Sequence, residues 1–226
     1  MIVVCFLWND RGYRYGARYT AEHVNRLGRM LDRHLPGCEL VCVTDIPEGI
    51  DPAVRIVPLW DDHRKIGGCY VRLKMFAEEM REVIGERFVL MDLDCVITGP
   101  LAPLFDTDED FVVWRSHHLH TEYNAGFYLL RAGARREVWD TFEPPESLRQ
   151  IALTRYIGWD QAWLNCVVSG ERTWGPEHGV YNFRYDIADH GGHLPEDARV
   201  VFFPGDYDPS SPSLRQRFPW IEEHWQ

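Results

Sequence analysis

The residues with the clearest chemical potential are two acids at the end of an apolar run. Phe88-Val-Leu-Met91 leads into Asp92-Leu-Asp94, and apolar residues resume at Cys95-Val-Ile97. Short β-rich stretches bounded by charge and glycine read as strands. Side chains alternate along a strand, so Asp92 and Asp94 are expected to point to the same side. Two carboxylates crowded together repel each other and are costly to desolvate. A divalent cation removes both problems, and hard oxygen ligands suit Mg²⁺ or Mn²⁺. Ligands of open α/β sheets bind beyond the carboxyl ends of strands. The pair therefore reads as a metal anchor for a phosphate-bearing substrate. The plainer alternative is a solvated loop carrying two nearby acids.

The elements that must position this pair alternate through the first half of the chain. Residues 2–7 form a strand, and residues 19–34 have helical periodicity through Val24, Leu27, Leu31 and Leu35, with Thr20 as N-cap. Pro36-Gly37 stops that helix. Strands follow at 40–43 and 54–59, then a helix preceded by Gly67-Gly68 and running through Val71, Met75, Met80 and Val83, then the strand into Met91. Such alternation implies crossover units and a mostly parallel sheet. The second half is less regular. Strands are expected at 111–114, 126–130 and 199–203, helices at 134–142, 160–168 and 219–225, and a loop at 204–212.

The bulk numbers narrow the function classes. A chain of 226 residues with 45% hydrophobic content suits one globular domain with a substantial core, spanning residues 1–226. Its nucleotide-type half runs to residue 98 and an irregular half from 99 to the end. Thirty-five acids against 24 bases give a net charge of −11, which lends no support to a nucleic-acid partner. The six cysteines (Cys5, Cys38, Cys42, Cys69, Cys95 and Cys166) lack the spacing of a zinc site and read as reduced thiols of a cytoplasmic protein. No stretch has the length of a membrane span, and the N-terminus lacks a basic start. Three close histidines, His117, His118 and His120, read as an exposed loop rather than a metal site. The only lysines, Lys65 and Lys74, lie near Arg72. Together they could clamp a diphosphate.

Four further segments converge with the aspartate pair. Tyr70-Val-Arg-Leu-Lys-Met-Phe76 precedes it and Pro100-Leu-Ala-Pro-Leu-Phe105 follows it. Tyr123-Asn-Ala-Gly-Phe-Tyr-Leu-Leu130 and Asp160-Gln-Ala-Trp-Leu-Asn165 come next. Taken in order, these resemble glycosyltransferases of the GT-A fold, most closely family 8, the group that includes glycogenin and the bacterial lipooligosaccharide galactosyltransferases. The resemblance implies an α/β fold with one Rossmann-like mixed sheet flanked by helices. It implies a UDP-sugar donor held through Mn²⁺ or Mg²⁺ on Asp92 and Asp94. Transfer to a glycan, lipid-linked saccharide or protein acceptor would proceed with retention. It further implies that Arg72, Asn124, Ala125 and Gly126 contact the donor and that Asp160 and Gln161 sit at the reacting carbon. Asn9, Asp10 and Tyr13 would cradle the nucleoside.

The chain also departs from that family near its end. The family usually carries His, Gly and Lys-Pro there. The histidine completes the metal site and the lysine binds phosphate. This chain has Val201-Phe-Phe-Pro-Gly-Asp-Tyr-Asp-Pro209. Gly205 and Pro209 match, no histidine precedes the glycine, and Asp208 stands where lysine is expected. Asp206, Asp208, His190 or His193 are candidates for the third metal ligand. Two alternative functions follow. One is a non-catalytic sugar-nucleotide or glycan-binding protein. The other is a phosphatase of the haloacid-dehalogenase type, whose signature is also a strand ending in Asp-x-Asp, although no lysine follows Lys74 to steady a phosphoaspartate.

Overall fold

The first three strands pair in parallel. In the computed structural model, which describes residues 1–9, 19–60 and 67–226, β1 (Ile2–Leu7) lies between β2 (Glu39–Thr44) and β4 (Arg87–Met91), and β3 (Arg55–Pro58) flanks β2. All four run parallel. β7 (Tyr123–Arg131) then pairs antiparallel with β4, β6 (Phe111–Arg115) antiparallel with β7, and β8 (Arg172–Trp174) parallel with β6. The result is a mixed sheet in the order β3-β2-β1-β4-β7-β6-β8. A three-stranded sheet, β5 (Cys95–Ile97), β10 (Val200–Phe202) and β9 (Val180–Asn182), packs beside it.

The apolar runs explain the layering. From Val3 to Leu7 every residue of β1 is buried, as a strand covered on both faces requires. Val3, Cys5 and Leu7 join Val24, Leu27 and Leu31 of the Ala21–His34 helix in one layer. Val4 and Phe6 join Tyr70, Leu73 and Phe76 in the other. The apolar residues at i, i+3 and i+7 of that helix thus meet the odd face of β1. Thr20 is its N-cap, extended at φ −134°, as the sequence implies. The six cysteines are free thiols.

Three stretches differ from the sequence reading. The helix expected after Gly67-Gly68 and through Val83 is a 3-10 segment, Gly68–Phe76, and a four-residue α-helix, Met80–Val83, parted by an extended Ala77. Seven of the nine residues of the 3-10 segment are buried, so its apolar positions do not mark one face of a helix. Only Glu137–Asp140 is helical in the stretch 134–142, and an unforeseen helix, Glu146–Ala152, follows the prolines. Two short helices, Pro212–Arg217 and Pro219–His224, close the chain where one was expected. The short strands β5, β8 and β9 carry three residues each, too few for a periodic signal. Among the described residues no helix is long and apolar enough to cross a membrane.

Candidate functional site

β4 ends at Met91, and the chain bends through Asp92-Leu93-Asp94 before β5 begins. The Asp92 N–H still donates to the Gly126 carbonyl at 2.8 Å, so the ladder with β7 runs one residue past the strand. Phe88 and Leu90 face the layer holding the 3-10 segment. Asp92 continues that alternation and meets Arg72. The bend turns Asp94 to the other layer, where its Oδ2 accepts from the Tyr19 hydroxyl at 3.0 Å. Both carboxylates line one cavity of about 490 Å³, but through a bend and with partners from opposite layers.

Arg72 is the hub of this site. It is only 8% exposed, so it is not a surface helix residue. Its Nε donates to Asp160 Oδ2 at 2.8 Å, its Nη2 lies 2.7 Å from the same oxygen, and its Nη1 donates to Asp92 Oδ1. Burial works against the guanidinium charge, yet Asp160 and Asp92 outweigh it and hold its pKa well above the ordinary value. The charge is therefore permanent, and it is shared. Burial pushes the Asp92 carboxyl up to about 6, with Arg72 opposing the rise and Asp160 adding to it. Three carboxylates and one guanidinium leave the described floor of the cavity anionic.

Each neighbouring element has a local reason for its place. Asp160 is the first residue of its helix, Asp160–Val167; Trp159 is the N-cap, and the Asp160 carboxylate is bound to Arg72 instead of capping. Asn165, one turn further, braces that helix on β7. Its Oδ1 accepts from the Glu122 and Tyr123 N–H groups at 2.8 and 3.0 Å, and its Nδ2 donates to the Tyr123 carbonyl at 2.9 Å. Gln161 lines the cavity and donates to the Ile157 carbonyl at 2.9 Å. Asn124 is a strand residue, not a turn residue; its Oδ1 accepts from the Gly126 N–H at 2.8 Å. A Cβ on Gly126 would stand 2.5 Å from Asp92 Oδ2. Only glycine lets β7 pass so close to that carboxylate.

The other expected residues fall as follows. Gly205 lines the cavity with φ at +78°. Ala125 is buried in the layer below, outside the cavity lining. Asn9 is exposed just past Trp8, its N–H donating to Asp45 Oδ1 at 3.0 Å. Asp10, Tyr13 and Lys65 lie outside the described residues. Lys74 pairs with Glu79 at 3.1 Å and lies near the Trp60 and Trp139 rings, away from the cavity lining.

None of the four third-ligand candidates reaches the pair. Asp206 and His190 are exposed, and His193 lines a separate depression with Phe218 and Trp220. Asp208 is buried, with its Oδ1 3.5 Å from His23 Nε2. It ties the 204–211 loop to the first helix. Among the described residues no three His, Cys, Asp or Glu side chains cluster as a metal site. The donor set still fits a cation. Mg²⁺ and Mn²⁺ are commonly held by one or two carboxylates together with substrate phosphates and water, and Asp92 and Asp94 present hard oxygens to a cavity with room for a diphosphate.

Sequence reasoning missed Tyr19, Trp8, Trp114, Trp159 and Ile157, which also line the cavity. Only Trp8 carried a signal, sitting just past the carboxyl end of β1. The histidine loop is partly anchored. His117 Nε2 lies 2.9 Å from Asp186 Oδ1, and its ring stacks on Tyr185.

No protein-family model matches the chain, and no curated protein matches it by sequence. Solved structures do match. The chain resembles the galactosyltransferase LgtC in complex with donor and acceptor sugar analogues, with a TM-score of 0.64 and 15% identity over 99% of this chain and 95% of that one. It also resembles the glycosyltransferase GlyE of Streptococcus pneumoniae TIGR4, with a TM-score of 0.61 and 15% identity, covering 99% of this chain and 61% of that one. Against the bifunctional glycosyltransferase WbbM the TM-score is 0.57 at 14% identity, and the chain spans 50% of that protein.

Proposed function

On the premise that the chain has the GT-A fold of these glycosyltransferases, we propose that it is a single-domain, metal-dependent glycosyltransferase. It moves a sugar from a UDP-sugar to a glycan, lipid-linked or protein acceptor, with retention of configuration. One observation carries the reading. Arg72 is buried and bonded to both Asp92 and Asp160 in a cavity that Asp94 also lines. Such a floor repels a bare diphosphate and suits one delivered with a divalent cation.

Asp92 and Asp94 would hold that cation, Mn²⁺ or Mg²⁺, which would supply charge neutralisation to the departing nucleoside diphosphate. Arg72 fixes Asp160 through two nitrogens, so that carboxylate cannot swing. Its other oxygen is left to accept from hydroxyls of the donor sugar. Gln161, one residue on, orders the reacting face, and Trp8 with Phe6 offers an aromatic wall to the base. Asn124 and Gly126 keep Asp92 in place from the β7 side.

Calorimetric titration of UDP, with GDP and ADP as controls, with and without Mn²⁺, tests the reading. Metal-dependent, UDP-selective binding is the expected result. Absence of binding to every nucleotide by the folded protein overturns it. Binding without release of UDP from any sugar donor, in the presence of candidate acceptors, assigns the chain instead as a sugar-nucleotide-binding protein.

A further inference from the structure

Eight large hydrophobic side chains are exposed among the described residues, and five of them, Leu119, Leu148, Leu153, Ile157 and Trp159, fall between residues 119 and 159. Leu119 is 91% exposed and Leu153 89%, whereas Met1, the highest of the other six, reaches 41%. Scattered apolar side chains on a surface are ordinary, but two leucines stripped of nearly all cover beside a cavity are not. Their loops are joined. The Ile157 N–H donates to Thr121 Oγ1 at 3.1 Å, and Thr121 closes the turn that carries Leu119 by donating to the His118 carbonyl at 3.0 Å. Leu153 lies four residues before Ile157, and Ile157 and Trp159 line the cavity itself. Ile157 and Trp159 thus bring the segment that carries Leu153 to the proposed donor site, and the bond to Thr121 ties the Leu119 turn to the same segment.

The charge of these loops runs against that of the chain. Residues 116–121 and 147–159 contain no acid, but hold three histidines, Arg149 and Arg155, in a protein of net charge −11. Arg184 is exposed beside Tyr185, on which His117 stacks. Of the nearby acids, Asp186 is bonded to His117 and Glu146 to Arg149, while Glu122 is exposed. Exposed leucines, a tryptophan at the edge and arginines around them are the composition of a surface that lies in a lipid interface.

We propose that the 116–121 and 147–159 loops dock on an anionic lipid surface, with Leu119 and Leu153 entering the headgroup boundary and the cavity mouth turned toward the bilayer. The acceptor is then a lipid-linked saccharide presented from that bilayer, a statement that rests on the glycosyltransferase reading above; the docking itself does not.

Co-sedimentation with vesicles of phosphatidylglycerol and phosphatidylcholine, against pure phosphatidylcholine, decides the matter. The expected result is binding to the anionic vesicles that weakens with salt. The doubly substituted Leu119→Ser/Leu153→Ser protein should bind them about tenfold more weakly or worse, because two buried leucines are lost. Its Mn²⁺-dependent UDP affinity should be unchanged, which shows that the variant is folded. Arg155→Glu should weaken the vesicle binding further. Failure of the native protein to bind anionic vesicles overturns the proposal, as does undiminished binding by the leucine variant. Native self-association that the leucine substitutions abolish, without vesicle binding, assigns the patch to a second copy of the chain and also overturns it. Vesicle binding without nucleotide binding would leave the surface standing and remove the transferase reading alone.

Discussion

The two aspartates of the site are held in opposite ways. Asp92 sits against a buried guanidinium that also serves Asp160, within a layer built from the 3-10 segment, β7 and the Asp160–Val167 helix. Asp94 accepts from a tyrosine hydroxyl at the start of the first helix and faces the 204–211 loop side, where the chain departs from the family. Among the described contacts, a buried guanidinium binds Asp92 and a tyrosine hydroxyl binds Asp94, and the contrast points to a division of labour. The Asp92 side is part of what keeps the fold together. On the proposed function, the Asp94 side would serve the ligand more than the fold.

The largest expected effect tests that division. Arg72→Leu leaves Asp160 buried and unpaired beside Asp92, and removing one partner of a buried ion pair costs about 3–5 kcal/mol. Asp94→Ala should cost less, since the carboxylate is partly open to solvent and its bond to Tyr19 joins it to a neutral hydroxyl. Urea denaturation of both variants compares them directly, and equal losses would erase the distinction.

Binding should then reverse the order of importance. Asp94→Asn is expected to abolish Mn²⁺-dependent UDP binding with no change in the denaturation midpoint. Calorimetry beside thermal melting reads both quantities. Native-like affinity in this variant would falsify the metal assignment of Asp94.

A smaller effect distinguishes Asp92 by pH. Its native carboxyl titrates at about 6, above the ordinary 3.8, because burial and Asp160 outweigh Arg72. A raised native pKa means that the native state holds the proton more tightly than the unfolded chain does. This contribution to stability is therefore full below about pH 4 and is lost as pH rises through 6. Asp92→Asn cannot ionise and should lack that loss. The difference between the two proteins' unfolding free energies, followed without metal from pH 4 to 8, should slope across that interval. A flat difference would show that Arg72 satisfies Asp92 fully.

The smallest effect belongs to Tyr19. Tyr19→Phe removes one donor to Asp94 and should weaken Mn²⁺-dependent UDP binding by roughly fivefold, for about 1 kcal/mol. A loss as large as that of Asp94→Asn would make the hydroxyl itself a ligand-binding group.

Much of this site was legible in the residues. The apolar run into Asp92-Leu-Asp94, the Asn124-Ala-Gly126 segment and the Asp160-Gln161 pair all carry local patterns, and all three come together around one cavity, with Ala125 packed beneath it. The break of the helix expected between Gly68 and Val83 was not legible, because a segment buried on nearly every side has no polar face to set its period. Nor was the pairing of Asp94 with Tyr19, since 75 residues separate them and no spacing rule spans that distance.

The sequence by itself determined the strand-and-helix alternation, the acids at a strand end and the absent family histidine and lysine, because each is written in neighbouring residues. Tertiary structure alone decided that Arg72 bridges Asp92 and Asp160, that Asp208 turns away to His23, and that β7 passes close enough to need Gly126. These are contacts between segments 20 to 185 residues apart. Their partners are chosen by which layers the sheet brings face to face, and local propensity carries no record of that choice.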